Sequence, residues 1–281
     1  MDVFKDIAAL RAARAGMRGR VGLVPTMGYL HDGHMALVAA ARARCDHVLA
    51  SIFVNPRQFG EAADLAAYPR DVERDMALLQ DAGVDALFLP GVEAMYPAGA
   101  ETVVTVPSLS DRLMGALRPG HFEGVATVVC KLFNITRPDV AFFGEKDYQQ
   151  LLVIRRMAAD LDTGVEVVGL PTVRDADGLA LSSRNVRLSP SQRQAALVLN
   201  RALDAAAEAT ERGAPVEDIR EAAAQLLATE PQADAPGIDV QDAATLSDLN
   251  GRPNAPVVIL LTARFGDVLL IDQRVATPPS A

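Results

Sequence analysis

At 281 residues, half of them apolar, the chain is long enough to bury a substantial core without help from metals or disulfides. Its formal net charge of −9, from 27 basic and 36 acidic residues, argues against the broad basic face that nucleic-acid binding requires. Cys45 and Cys130 lie far apart in no paired spacing, so neither a disulfide framework nor a zinc site is indicated, and buried free thiols are expected.

Met1 to Asp6 lacks the basic flank and apolar run of a signal peptide, and no apolar stretch approaches the ~20 residues of a membrane span. A cytoplasmic protein is expected. Any anionic ligand must then be held by a local cluster of donors, which points to a small phosphate-bearing molecule in a pocket.

In chain order, the first apolar run is Val21-Gly22-Leu23-Val24, followed by a helical segment from about His34 to Arg44 and a second run, Val48 to Val54. Neither run shows strict polar alternation, which suits strands covered on both faces. Helices are expected between Asp71 and Asp81, Phe122 and Thr136, and Gln149 and Asp160; strands at Ala86–Leu89, Val140–Phe143 and Val165–Val168. This alternation predicts an α/β fold with a doubly wound parallel sheet over residues 1–185, whose ligands sit at the carboxyl ends of its strands. After Ser189-Pro190 the texture changes. Ala-rich helical stretches, Ser191–Arg212 and Val216–Thr229, lead through a Pro-, Asp- and Gly-rich connection (Pro231, Pro236) to strand-like runs at Val257–Leu261 and Val268–Ile271. Residues 186–281 are therefore expected to form a smaller C-terminal α+β domain, ending in a disordered tail from Thr277.

Chemistry-bearing residues fall in the loops that leave strands. Pro25 to His34 places two glycines and two histidines between the first strand and the first helix. Glycine permits close backbone approach, a helix start offers N–H groups to phosphate, and imidazoles can donate to phosphate oxygens. The alternatives are a glycine turn with incidental histidines, or zinc on His31, Asp32 and His34; for zinc no further His or Cys lies nearby to complete a tetrahedron. At Asn55-Pro56-Arg57-Gln58, Pro56 stops a buried strand and presents two amides, which suits a hydroxyl or carboxylate ligand or an ordinary capping turn. His121, at or just before the helix of Val125, Val128, Val129, Leu132 and Phe133, is either a structural histidine or a secondary site candidate. Gly144-Glu145-Lys146-Asp147 is a glycine turn with a lysine placed for phosphate, or a solvated charged turn. Ser182-Ser183-Arg184 sets a guanidinium beside two hydroxyls, a pattern able to clamp a polyphosphate.

In this order the five segments resemble the pantothenate synthetase family, within the nucleotidylyltransferase and class I aminoacyl-tRNA synthetase superfamily. His31-Asp32-Gly33-His34 is similar to the superfamily's His-x-Gly-His signature, and the surrounding Pro-Thr-Met-Gly-x-Leu-His-x-Gly-His to that of the family. Asn-Pro-x-Gln-Phe at 55–59, Arg-Pro-Gly-His-Phe-x-Gly-Val at 118–125, Gly-x-Lys-Asp-x-Gln-Gln at 144–150 and Ser-Ser-Arg-Asn at 182–185 extend the match. Arg57 stands where the family often has Met or Thr, and Leu181 where Met is common.

The resemblance implies a Rossmann-like catalytic domain that joins pantoate to β-alanine with ATP and Mg²⁺ through a pantoyl adenylate. By it, Met27, Gly28, Tyr29, Leu30, His31, Asp32, Gly33 and His34 line the ATP site. Gly144, Glu145, Lys146 and Asp147 also bind ATP, as does Leu181, with Val173 on the adenine side and Ser182, Ser183 and Arg184 toward the phosphates. His34, His31, Lys146 and Arg184 are the implied catalytic residues; Gln58, Gln150 and Asn55 the substrate contacts. A homodimer is implied, with no nucleic-acid or membrane partner and no protein-held metal. Another adenylyl-transfer enzyme would share the first and fifth segments without needing the amides of Asn55, Gln58 and Gln150. A non-catalytic nucleotide-binding module would bind ATP without turnover.

Overall fold

The apolar strands expected from the sequence are the centre of a parallel sheet. The structure, a computed structural model, describes residues 1–60 and 62–279. The chain passes through β1 (Asp2–Phe4), α1 (Ile7–Gly16), β2 (Val21–Thr26), α2 (Asp32–Arg44), β3 (His47–Ile52), α3 (Ala62–Ala66), α4 (Val72–Asp81) and β4 (Ala86–Phe88). Short helices α5 (Val92–Met95), α6 (Pro107–Ser110) and α7 (Met114–Leu117) precede α8 (His121–Thr136), β5 (Val140–Gly144), α9 (Tyr148–Asp160) and β6 (Glu166–Leu170). Then come α10 (Pro190–Ala196), α11 (Val198–Glu211), α12 (Val216–Leu227), β7 (Asp234–Asp242), β8 (Val257–Phe265) and β9 (Val268–Ala276). Short 3₁₀ turns lie at Pro56–Gln58, Glu145–Asp147 and Ser183–Arg187. Among the described residues no helix is long and apolar enough to cross a membrane.

Two compact units divide the chain: Met1–Gly144 with Gln149–Pro171, and Glu145–Tyr148 with Thr172–Ala281. The first holds a six-stranded sheet in the order β1-β4-β3-β2-β5-β6, parallel throughout. Strand alternation sorts its core into two faces. Val24, Ala50, Leu87 and Phe142 pack with Leu37, Val38 and Ala41 of α2 and Leu79 of α4. Leu23, Leu49 and Phe143, one residue out of phase, are buried on the opposite face.

The sheet opens where the chain reverses its strand order. β5 pairs with β2 only over Gly22↔Val140 and Leu23↔Ala141, whereas β3 follows β2 through Thr26↔Ile52. The strands have thus separated before Pro25, which is why a residue with no N–H is tolerated in a central strand. Such a switch point, at the carboxyl ends of the strands, is where doubly wound sheets bind ligands.

In the second unit β7-β8-β9 form an antiparallel sheet. Val257, Ile259, Leu261, Ala263 and Phe265 alternate along β8 and pack with Leu199, Ala202, Leu203 and Ala206 of α11 and Ile219, Ala223 and Leu227 of α12. The alanines keep α11 slim where it meets the sheet.

Several elements depart from expectation. α2 starts at Asp32 rather than near His34, and the second buried strand stops at Ile52 rather than Val54. β1 and α1 precede the first expected strand, and β7 occupies part of the expected Pro-rich connection. Pro236 is accommodated because β7 is an edge strand whose register shifts between Asp234 and Gly237. Pro278 is buried, so the chain is packed down beyond Thr277, where the tail was expected to begin; Ser280 and Ala281 lie outside the described residues. Cys45 and Cys130 are free but half-buried rather than fully buried.

One close approach fixes α8 against the turn after β3. A Cβ on Gly124 would lie 2.4 Å from the Arg57 carbonyl oxygen and 2.7 Å from the Gln58 nitrogen. Gly124→Ala should therefore destabilise the first unit by about 1–3 kcal/mol and lower activity by displacing Gln58. Urea denaturation and an activity assay check this; an unchanged midpoint with full activity contradicts it.

Candidate active site

The turn after β2 is built from its backbone outward. Gly28 has φ 83° and Tyr29 φ 53°, both left-handed, so the chain bends sharply between strand and helix. Thr26 Oγ1 donates to the Ser51 carbonyl (2.8 Å) and accepts from the Gly28 N–H (3.2 Å). Asp75 of α4, only 1 % exposed, accepts from the Tyr29 N–H at 2.6 Å and the Leu30 N–H at 2.7 Å, one to each carboxylate oxygen. Arg74 donates to the Leu30 carbonyl at 2.9 Å. The Leu30 side chain is buried in the α2 core with Met35 beside the same cluster, the spacing of a hydrophobic staple at a helix start.

His31 is the N-cap of α2, and its N–H donates to Nδ1 of His34 at 3.3 Å. With Nδ1 used as an acceptor, the neutral His34 ring carries its proton on Nε2. The two rings lie 4.1 Å apart, centroid to centroid. The His34 N–H donates to the His31 carbonyl (2.8 Å), so α2's leading donors, the N–H groups with no intrahelical acceptor, belong to Asp32 and Gly33. The expected phosphate-facing helix end thus lies two residues earlier than the sequence suggested. Among the described residues, no three His, Cys, Asp or Glu side chains form a group able to hold a metal ion.

The amides at the end of β3 are interlocked. Asn55 is 1 % exposed, and its Nδ2 donates to Gln58 Oε1 (3.0 Å) and to the Gly124 carbonyl (3.0 Å). Its Oδ1 accepts from the Tyr96 hydroxyl (2.9 Å) and the Arg57 N–H (3.3 Å). Asn55 therefore uses both amide hydrogens inside the protein and fixes which way the Gln58 carboxamide points. Gln58 Nε2 lies 3.2 Å from Met27 Sδ, bringing the β3 amide against the glycine turn. His121 Nδ1 is 2.8 Å from the Gln58 carbonyl oxygen; a carbonyl only accepts, so His121 donates there and braces the turn. Arg57 lies over the Tyr96 ring at 4.1 Å and donates to the Ala100 carbonyl at 2.9 Å.

The neighbouring glutamines on α9 differ in their roles. Gln149 is buried and holds the segment between α6 and α7, donating to the carbonyls of Leu109 (2.7 Å) and Arg112 (2.8 Å) and accepting from the Met114 N–H (3.2 Å). Gln150 is half-buried. Gly144 is the last residue of β5.

In the second unit, Glu145, Lys146 and Asp147 form a 3₁₀ turn, the first two half-buried and Asp147 exposed. Val173 and Leu181 face each other across a tight hairpin, the Leu181 N–H donating to the Val173 carbonyl at 3.0 Å. Arg174 anchors this hairpin with a bidentate pair to Asp272 of β9, at 2.7 and 2.9 Å. Ser182 follows as N-cap of the next turn, its Oγ accepting from the Arg184 N–H at 3.2 Å. Ser183 and Arg184 open that 3₁₀ turn, half-buried.

The sequence reading gave no role to Asp75, Tyr96, Gln149 or Asp272, although Gln149 stands inside the motif at 144–150. Asp75 sits in a run of charged residues that reads as a solvated helix face. Its signal was the spacing to Leu79: the residue four before a core leucine shares its face, and a carboxylate there needs donors. Tyr96 and Asp272 act across long sequence separations with no local pattern. Neither cysteine offers a ready nucleophile, since burial raises the thiol pKa of both Cys45 and Cys130.

The fold and turn define an α/β protein of the Rossmann-like nucleotide-binding type, with a histidine-bearing glycine turn at its switch point. Comparison with known proteins makes the assignment specific. The sequence profile of the pantoate-beta-alanine ligase family matches residues 2–275. A pantothenate synthetase of Sinorhizobium medicae is 55 % identical over 286 residues, covering 100 % of this chain and 98 % of that protein. The crystal structure of a pantothenate synthetase from Thermus thermophilus superposes with a TM-score of 0.93 at 52 % identity, covering 98 % of this chain and 99 % of that one. A pantoate-beta-alanine ligase from Francisella tularensis, crystallised with a βγ-ATP compound and β-alanine, superposes with a TM-score of 0.79 at 32 % identity, over 98 % and 97 % of the two chains. The chain belongs to the pantoate–β-alanine ligase family.

Tyr96 gives the site a pH signature. Burial pushes its phenol up to about 12, against a smaller opposing pull from Arg57, so it stays a hydrogen-bond donor to Asn55. Below the unfolded value of about 10 its contribution to stability is constant. Between about 10 and about 12 the unfolded chain releases the proton and the folded one keeps it, so stability falls as pH rises. Urea midpoints from pH 7 to 12 should show Tyr96→Phe losing about 0.5–1.5 kcal/mol at neutral pH and falling less steeply than the wild type above 10. Parallel curves would contradict this.

Proposed function

We propose that this chain performs its family's ligation by positioning ATP on the glycine turn after β2. The observation that carries this reading is that turn itself: two imidazoles and a helix N-terminus at the point where β2 and β5 separate. The pantoate carboxylate attacks the α-phosphorus of ATP and pyrophosphate departs, giving pantoyl adenylate. The β-alanine amine then attacks the acyl carbonyl and AMP leaves. Mg²⁺ brought in with ATP would neutralise charge on its phosphates.

His34 donates from Nε2 to the phosphates, with His31 beside it, and Met27 to Gly33 shape the nucleotide site. Gln58 and Gln150 contact pantoate, and Asn55 serves that contact by orienting Gln58. Gly144, Glu145, Lys146 and Asp147, together with Ser182, Ser183 and Arg184, act on ATP and its leaving group, and Val173 and Leu181 on the adenine side. No residue of this set is a covalent nucleophile, so orientation and charge stabilisation carry the rate. The free, half-buried cysteines and the lack of any membrane-crossing helix among the described residues are in keeping with a cytoplasmic enzyme. Family membership supports a homodimer, and sedimentation giving twice the 29.8 kDa chain mass checks it.

With Mg·ATP and pantoate, pyrophosphate release or exchange should require pantoate, and AMP release should further require β-alanine. His34→Ala and Lys146→Ala should each lower pantoate-dependent exchange by about 10²–10³-fold without unfolding the protein. Turnover at the wild-type rate in either variant, or ATP use that ignores pantoate, would sink the assignment.

A further inference from the structure

We propose that Asp75 is a positioning residue for ATP, acting through the backbone of the glycine turn it holds from below. The proposal rests on the reading of that turn as the nucleotide site. Asp75 lies on α4, outside every motif that carries the family resemblance, and is 1 % exposed. A carboxylate that deep must be met by donors, and here each oxygen takes one backbone N–H of the turn, from Tyr29 at 2.6 Å and Leu30 at 2.7 Å. These lengths are at the short end for N–H bonds to a charged acceptor.

The turn needs such a clamp. Tyr29 is a non-glycine residue at φ 53°, a conformation that persists only where the surroundings over-determine it. Gly28 precedes it at φ 83°, and a Cβ there would lie 3.1 Å from Asp75 Oδ2, so the carboxylate and the glycine occupy complementary space. Asp75 therefore sets the peptide planes immediately before His31 and His34. It also uses up the N–H groups of Tyr29 and Leu30, leaving the phosphates to the helix start at Asp32 and Gly33 and to the imidazoles. Arg74 closes the arrangement from the rim, donating to the Leu30 carbonyl (2.9 Å) and standing 3.7 Å from Asp75 Oδ1.

The isostere Asp75→Asn discriminates this role from packing. It keeps the volume, but an amide can accept at one oxygen only and turns its NH₂ toward the other backbone N–H. In pantoate-dependent ATP–pyrophosphate exchange, Asp75→Asn should raise KM for ATP on the order of ten- to a hundredfold while KM for pantoate stays within about threefold. Circular dichroism establishes that the variant is folded. An ATP KM within twofold of wild type, or equal rises for both substrates, would overturn the proposal. If Asp75→Asn does not fold, Arg74→Ala decides. Arg74 is half-exposed, and its loss should raise the ATP KM selectively by about threefold or more; no selective rise overturns the proposal. His34→Ala in the same assay separates the two claims: if it abolishes exchange while the Asp75 and Arg74 variants leave ATP binding intact, the nucleotide-site reading stands and this inference fails.

Discussion

The site depends on a backbone that is held in a bend it would not keep alone. Past Leu23 and Ala141, β2 and β5 no longer hydrogen-bond, and the chain turns through two consecutive left-handed residues to enter α2. Three side chains tie that bend down: Thr26 to the Ser51 carbonyl, Asp75 of α4 to the Tyr29 and Leu30 N–H groups, and Leu30 into the core under α2. The stability of sheet and core thereby offsets the strain of a fixed arrangement of donors. Catalysis by positioning needs this, because donors already in place need no reorganisation when charge moves to the leaving group.

The same logic runs through the amide cluster. Asn55 is not at the end of β3 as an exposed hand; its four hydrogen bonds lock Gln58, Gly124, Tyr96 and Arg57 to one another. The amide of Gln58 is thus supported by a buried scaffold, and the absence of a side chain at Gly124 is what lets α8 come close enough to complete it. In the second unit the Arg174–Asp272 pair has a comparable role, tying the hairpin that carries Val173 and Leu181 to β9. Each unit carries its motif residues on turns and pins those turns with buried polar contacts.

The alternation of apolar runs and helices was enough to read the parallel sheet, because strands covered on both faces leave a strong local signature. The motif segments stood out through their likeness to the family, since glycine turns, histidines and amides at strand ends also have structural roles, as Asn55 and His121 show. β7 was hidden by Pro236 and Gly237, since an edge strand tolerates residues that a central strand forbids. Asp75, Tyr96 and Asp272 stayed hidden because each acts on a segment 40 or more residues away; a local window shows at most that a polar side chain shares a buried face, as Asp75 does with Leu79, and not which segment it meets. What the sequence displays is the motif residues on the turns; what it conceals is the support beneath.

The most direct test follows oxygen from the substrate. With both carboxylate oxygens of pantoate labelled with ¹⁸O, an adenylate route sends one label into AMP and keeps the other in the amide carbonyl of the product. The account predicts AMP carrying one ¹⁸O and unlabelled pyrophosphate. Label in inorganic phosphate with ADP as the nucleotide product would mean attack at the γ-phosphorus, and would contradict the reading of the glycine turn as a device for adenylate formation.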